Sequence, residues 1–129
     1  MKLLPLSLAA LTLSAGLAHA EMTLSFAWGA TPACNTGRAK TVGNPEFVLK
    51  GVPAGTTSVD FRMKDLDAPQ YNHGGGRLKI TKSGRVPAGT FTYKGPCPPR
   101  GAHRYVWTAT ARNGNKVLAR ATARRKFPE

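Results

Sequence analysis

The sequence predicts an all-β fold, an antiparallel β-sandwich or partly open barrel with little helix. Three observations carry this. Apolar residues recur with a period of two in several short runs. Gly, Pro and Asn bound those runs, drawn from 14 glycines and 10 prolines in 129 residues. No stretch combines a 3.6-residue period with helix caps, so the elements are strands joined by turns.

Taken in order, residues 1–20 are a leader rather than an element of the fold. They begin with Lys2, run uncharged from Leu3 to Leu17 and close on Ala18-His19-Ala20, the basic, apolar and small-residue parts of a cleaved signal peptide. The apolar part is shorter than the roughly 20 residues that cross a bilayer. The mature chain is expected to start at Glu21, periplasmic or secreted, and residues 21–129 have the length of one domain.

Met22, Leu24, Phe26 and Trp28 alternate with Thr23, Ser25 and Ala27 as a half-buried strand does. Ala30 to Asn44, rich in Gly, Thr, Pro and Asn, is the longest irregular stretch. Strands follow at Phe47–Leu49 and around Val59, Phe61 and Met63, which alternate with Ser58, Asp60, Arg62 and Lys64. Shorter ones are expected at Leu78–Ile80, Phe91–Tyr93 and Tyr105–Ala111. Asn113-Gly114 supplies the positive φ of a tight hairpin. From Lys116 to Phe127, Val117, Ala119, Ala121 and Ala123 alternate like a strand, although alanine also suits a helix. The hairpin feeding this segment favours a strand.

Nineteen Lys and Arg stand against six Asp and Glu, so the surface is drawn to anionic partners. No zinc finger, RNP aromatic motif or helix-turn-helix pattern is present, and nucleic acid is not an expected partner of an exported protein. Anionic membrane surfaces and acidic proteins are, the latter through the basic Arg124, Arg125 and Lys126. Two cysteines, Cys34 and Cys97, both follow the leader. In an oxidising compartment one disulfide is favoured over two separate thiols. It would close roughly 60 residues, valued at about 4 kcal/mol by the loop-entropy model.

Two stretches hold the chemistry-bearing residues. Asp65-Leu66-Asp67-Ala68-Pro69 is followed by His73-Gly74-Gly75-Gly76, and Gly95-Pro96-Cys97-Pro98-Pro99 by Gly101-Ala102-His103-Arg104-Tyr105. Continued alternation would aim Asp65 and Asp67 to one side of a sheet end, with His73 close behind. Two carboxylates and a histidine can do acid/base work, hold a metal, or orient an imidazolium toward an anion. They can also simply cap a solvated turn. His-Gly-Gly-Gly matches the oxyanion string of esterases, but no G-x-S-x-G elbow accompanies it. The glycines then read as bare backbone that a ligand or strand can approach. In the second stretch the prolines stiffen the chain. His103 and Tyr105 share one face of the next strand, opposite Arg104.

These strings, with Phe47-Val48-Leu49-Lys50-Gly51-Val52-Pro53-Ala54-Gly55-Thr56 upstream, resemble the phosphatidylethanolamine-binding protein (PEBP) family, especially its bacterial Raf kinase inhibitor-like branch. The likeness covers about Phe47 to Trp107. It implies an antiparallel β-sandwich with a small pocket for a phosphate-type anion or phospholipid headgroup. Asp65, Asp67, Ala68, Pro69, His73, Gly95, Pro96, His103 and Tyr105 would form that pocket, with Ala68–Pro69 expected to be cis. No cofactor, metal or catalytic residue is implied. Family members regulate kinases and other enzymes, so an inhibitor module docking an acidic partner is the second expectation.

Overall fold

A computed structural model describes residues 2–5 and 21–129. The predicted signal peptide therefore lies, apart from residues 2–5, outside the described residues. Among those described, the chain forms nine strands and no helix: β1 (Thr23–Ala27), β2 (Thr41–Gly43), β3 (Glu46–Lys50), β4 (Ser58–Asp65), β5 (Gly75–Leu78), β6 (Gly84–Val86), β7 (Thr92–Lys94), β8 (His103–Asn113) and β9 (Lys116–Phe127). All pairings are antiparallel. One sheet has the order β5-β4-β8-β9, a second β1-β3-β6, and β2-β7 forms a two-stranded ribbon.

The two larger sheets bury their apolar faces against each other. Leu24 and Phe26 of β1, Phe47 and Leu49 of β3 and Val86 of β6 meet Val59, Phe61 and Met63 of β4 and Trp107 and Ala109 of β8. Phe47 sits at the centre, 4.7 Å from the Phe61 ring and 5.0 Å from that of Trp107. Each fully buried phenylalanine contributes about 2 kcal/mol by area burial. On β9 the alanines that left helix open turn inward, Ala121 being buried and Ala119 and Ala123 packed on the core. Small inner side chains let β1 approach β9 across the sandwich.

The departures from expectation have local causes. Strands β2 and β6 span three residues each, one of them glycine, too short for a period to register. Strand β5 starts three residues earlier than expected, at Gly75, and ends before Ile80. Its glycines are structural, since a Cβ on Gly75 would collide with the Phe61 carbonyl and one on Gly76 would lie 2.6 Å from the Phe91 ring. The hairpin turn is Gly114-Asn115, one residue on, because Asn113 still pairs with Lys116. Gly114 alone takes positive φ there, at the position where a II′ turn requires glycine. The Ala68–Pro69 bond is trans, the cis bond among the described residues being Phe127–Pro128.

Arg124, Arg125 and Lys126 do not share a face. Strand parity sends Arg125 to the inner side, where its Nε donates to the Phe26 carbonyl at 2.6 Å and its Nη1 to Glu129 at 2.9 Å.

Candidate functional site: a cavity between two histidines

Strand β4 ends at Asp65, paired in register with Tyr105 near the start of β8. Both residues face inward and are buried. Beyond Asp65 the chain turns, and the turn is held by the aspartate itself: Oδ1 accepts the backbone N–H of Asp67 at 2.8 Å and of Ala68 at 3.1 Å. Its other oxygen, Oδ2, lies 2.6 Å from His103 Nδ1. A carboxylate only accepts, so Nδ1 carries the proton. Asp65 thus spends both oxygens on orientation and presents His103 with its Nε2 unengaged by this pair.

His73 comes from the chain after the turn and is 4% exposed. Its Nδ1 lies 2.6 Å from the Lys94 carbonyl, again a pure acceptor, so this ring too is protonated at Nδ1. Burial lowers its pKa below the ordinary histidine value, outweighing the opposing pull of the Lys94 and Gly95 backbone and the Asp65 charge. Neutral His73 then carries a lone pair on Nε2. Tyr105 neighbours both imidazoles, its ring centre 5.8 Å from that of His73 and 6.3 Å from that of His103. Burial and the Asp65 charge push the Tyr105 phenol well above its ordinary range, so it stays protonated. Its hydroxyl is buried with no hydrogen-bond partner among the described residues.

These side chains line a cavity of about 220 Å³ with Gly37, Ala39, Ala68, Tyr71, Cys97 and Pro99. The Cys34–Cys97 disulfide, with a separation of 63 residues, ties the irregular segment after β1 to the Pro-rich loop. Gly37 is packed so near Pro99 that a Cβ there would lie 3.2 Å from it. Exposed Arg38 and Arg100 directly adjoin these wall residues in sequence. The bond is consistent with an oxidising compartment.

Comparison with known proteins rests on this fold. No protein-family model and no curated protein matches the chain. Among solved structures, a phosphatidylethanolamine-binding protein homologue from Chlamydia trachomatis superposes with a TM-score of 0.57, covering 84% of this chain and 98% of that one at 16% identity. The fold is PEBP-like. Two packed antiparallel sheets with no described helix are this chain's version of it.

Within the PEBP-like frame, Asp65, Ala68, His73, His103 and Tyr105 converge on one cavity, while four other expected residues stand outside its wall. Asp67 is exposed because the strand ends at Asp65 and parity stops with it. Its carboxylate accepts the Arg104 backbone N–H at 2.7 Å and the Arg104 guanidinium at 2.8 Å, which lowers its pKa to about 2. Pro69 is exposed on the turn. Gly95 packs on Val42 and donates its N–H to the Lys40 carbonyl at 2.9 Å. With Pro96 it borders a neighbouring cavity beside Cys34. Sequence reasoning missed Tyr71, whose ring centre is 4.6 Å from that of His73, and the wall residues Gly37 and Ala39. The cysteine pair was the one signal that could have drawn the latter in.

Proposed function

We propose that the protein is an exported, non-enzymatic binding module whose cavity takes a phosphate-type anion, free or as a phospholipid headgroup. The observation that carries this reading is that the Asp65–His103 pair, His73 and Tyr105 line one cavity, with both imidazoles beside the Tyr105 ring. With its Nδ1 held by Asp65, His103 has Nε2 left for a ligand, and the imidazolium form donates from it as a charged group. Tyr105 lines the same cavity and offers a second donor. Neutral His73 offers an acceptor, so the set suits an anion that also carries a donor, the P–OH of free phosphate or the ammonium of an ethanolamine headgroup. Arg38 and Arg100 beside the wall residues favour entry of negative charge.

The PEBP-like fold, shared with a homologue of a phosphatidylethanolamine-binding protein, supports the headgroup chemistry. The leader-like residues 1–20 and the disulfide support export to a periplasm or beyond.

The test is a titration with inorganic phosphate and with phosphoethanolamine, followed through the imidazole resonances of His73 and His103. Saturable shifts at both rings are expected, and loss of the His73 shift in a folded His103→Ala variant. Shifts that persist in that variant would sink the reading.

A further inference from the structure

The outer face of the sheet β5-β4-β8-β9 carries a second, unrelated arrangement. Register places Lys64 opposite Val106, itself opposite Arg124. Arg62 stands in the next row with Thr108 and Thr122, and Arg120 lies beyond, opposite Thr110. At the near end Lys126 stands opposite Arg104. The two carboxylates bordering this face are already engaged, Asp60 by Arg77 and Arg112 and Asp67 by Arg104. That leaves Arg62, Lys64, Arg120, Arg124 and Lys126 exposed and, among the described residues, without an acidic partner. With β8 between β4 and β9, strand geometry spaces these cations by about 10 Å across the sheet and about 7 Å between alternate positions along a strand.

The face is covered by cation stems rather than by apolar anchors. Val106 is 8% and Thr110 7% exposed although both point outward, as expected where long Lys and Arg side chains lie along the sheet and hold their charges to solvent. No aromatic side chain stands on these rows for a base to stack on, as single-stranded nucleic acid would use. Nor is there an exposed Trp, Tyr or Leu to fill a pocket, as a protein partner would use. A broad array of cations with neither feature matches a broad array of anions.

We propose that this sheet face docks the protein on an anionic lipid bilayer, through phosphate headgroups and without insertion of side chains into the acyl layer. The observation is independent of the cavity and does not rest on its ligand. Clusters of four to eight Lys or Arg are the usual recognition device for such surfaces.

The test is co-sedimentation of the full chain with vesicles of phosphatidylcholine, with and without phosphatidylglycerol. Binding is expected only with phosphatidylglycerol, and raising the salt concentration should abolish it. R62Q/R124Q should lower the partition coefficient about 30-fold, from about 1 kcal/mol per cation near the surface. A control, K50Q/K82Q, removes the same charge from exposed positions on β3 and before β6 and should change it little. Equal losses in the two variants would reduce the effect to net charge and overturn the proposal. So would a wild-type chain that ignores anionic vesicles, including one that instead retains DNA or an acidic protein through Arg62 and Arg124.

Discussion

His103 Nδ1 lies 2.6 Å from Asp65 Oδ2, with the carboxylate 5% and the imidazole 19% exposed. The same carboxylate holds the backbone of the turn that follows it, so one buried side chain couples the shape of the loop to the orientation of the ring. Asp65→Ala removes the acceptor for two backbone N–H groups and one imidazole. It should cost about 3 kcal/mol in a urea unfolding curve. Asp65→Asn keeps a turn acceptor but loses the counter-charge, so it should recover part of that stability while anion affinity remains low. Full anion affinity in a folded Asp65→Asn protein would separate the pair from binding.

Tyr105→Phe removes a buried hydroxyl that has no partner. Stability should hold or rise by up to about 1 kcal/mol, because an unpaired polar atom is deleted without opening a cavity. Phosphate affinity should fall at the same time, by roughly tenfold for one lost hydrogen bond. A parallel loss of stability and affinity would mean that the hydroxyl is satisfied in the folded protein.

His73 makes stability depend on pH. Its folded-state pKa is depressed by burial, so the unfolded chain binds the proton more readily. The contribution is present above about pH 6.5, declines as pH falls below the unfolded pKa, and is fully lost below the folded one. Urea midpoints measured between pH 7.5 and pH 5 should fall more in the wild type than in His73→Gln. Asp67 acts in a separate window, its contribution being present above its ordinary 3.8 and lost as pH falls through about 2. A midpoint equally steep in His73→Gln would assign the dependence to another group.

Reducing the Cys34–Cys97 bond frees a loop of 63 residues. Loop-closure entropy predicts a loss of about 4 kcal/mol. Because Gly37 and Ala39 reach the cavity from the segment this bond anchors, anion affinity should fall even where the Cys34→Ser, Cys97→Ser protein remains folded. Unfolding curves and phosphate titrations of the oxidised and double-serine forms measure the two effects separately.

Glycines in the His73-Gly74-Gly75-Gly76 string have different roles. Gly75→Ala would drive a methyl group into the β4 backbone, with an expected cost above about 2 kcal/mol. Gly74, at φ +76 with open space around it, should lose only about 1 kcal/mol as alanine. Comparing their thermal unfolding tests whether the string serves strand packing, as the structure indicates, rather than oxyanion binding.

Much of the architecture was already legible in local patterns. Alternation in Met22–Trp28 and Ser58–Lys64 marks sheet faces because side chains on a strand point to opposite sides with a period of two. The hairpin before β9 and the cysteine pair are likewise local or compositional signals. By itself, then, the sequence determined the all-β class, the inward faces of the long strands and the polar residues from which a site could be made, and it favoured the Cys34–Cys97 pairing that the structure shows. Tertiary structure alone decided which of them meet. Parity holds only while a strand lasts, so Asp65 turns inward and Asp67, past the strand end, is exposed and bound to Arg104. The meeting of His73 with His103 and Tyr105, and the closure of their cavity by Gly37 and Ala39, depend on pairing register and a cross-link between segments far apart in the chain. No local period encodes such distances, because they are set by how two packed sheets bury a common core.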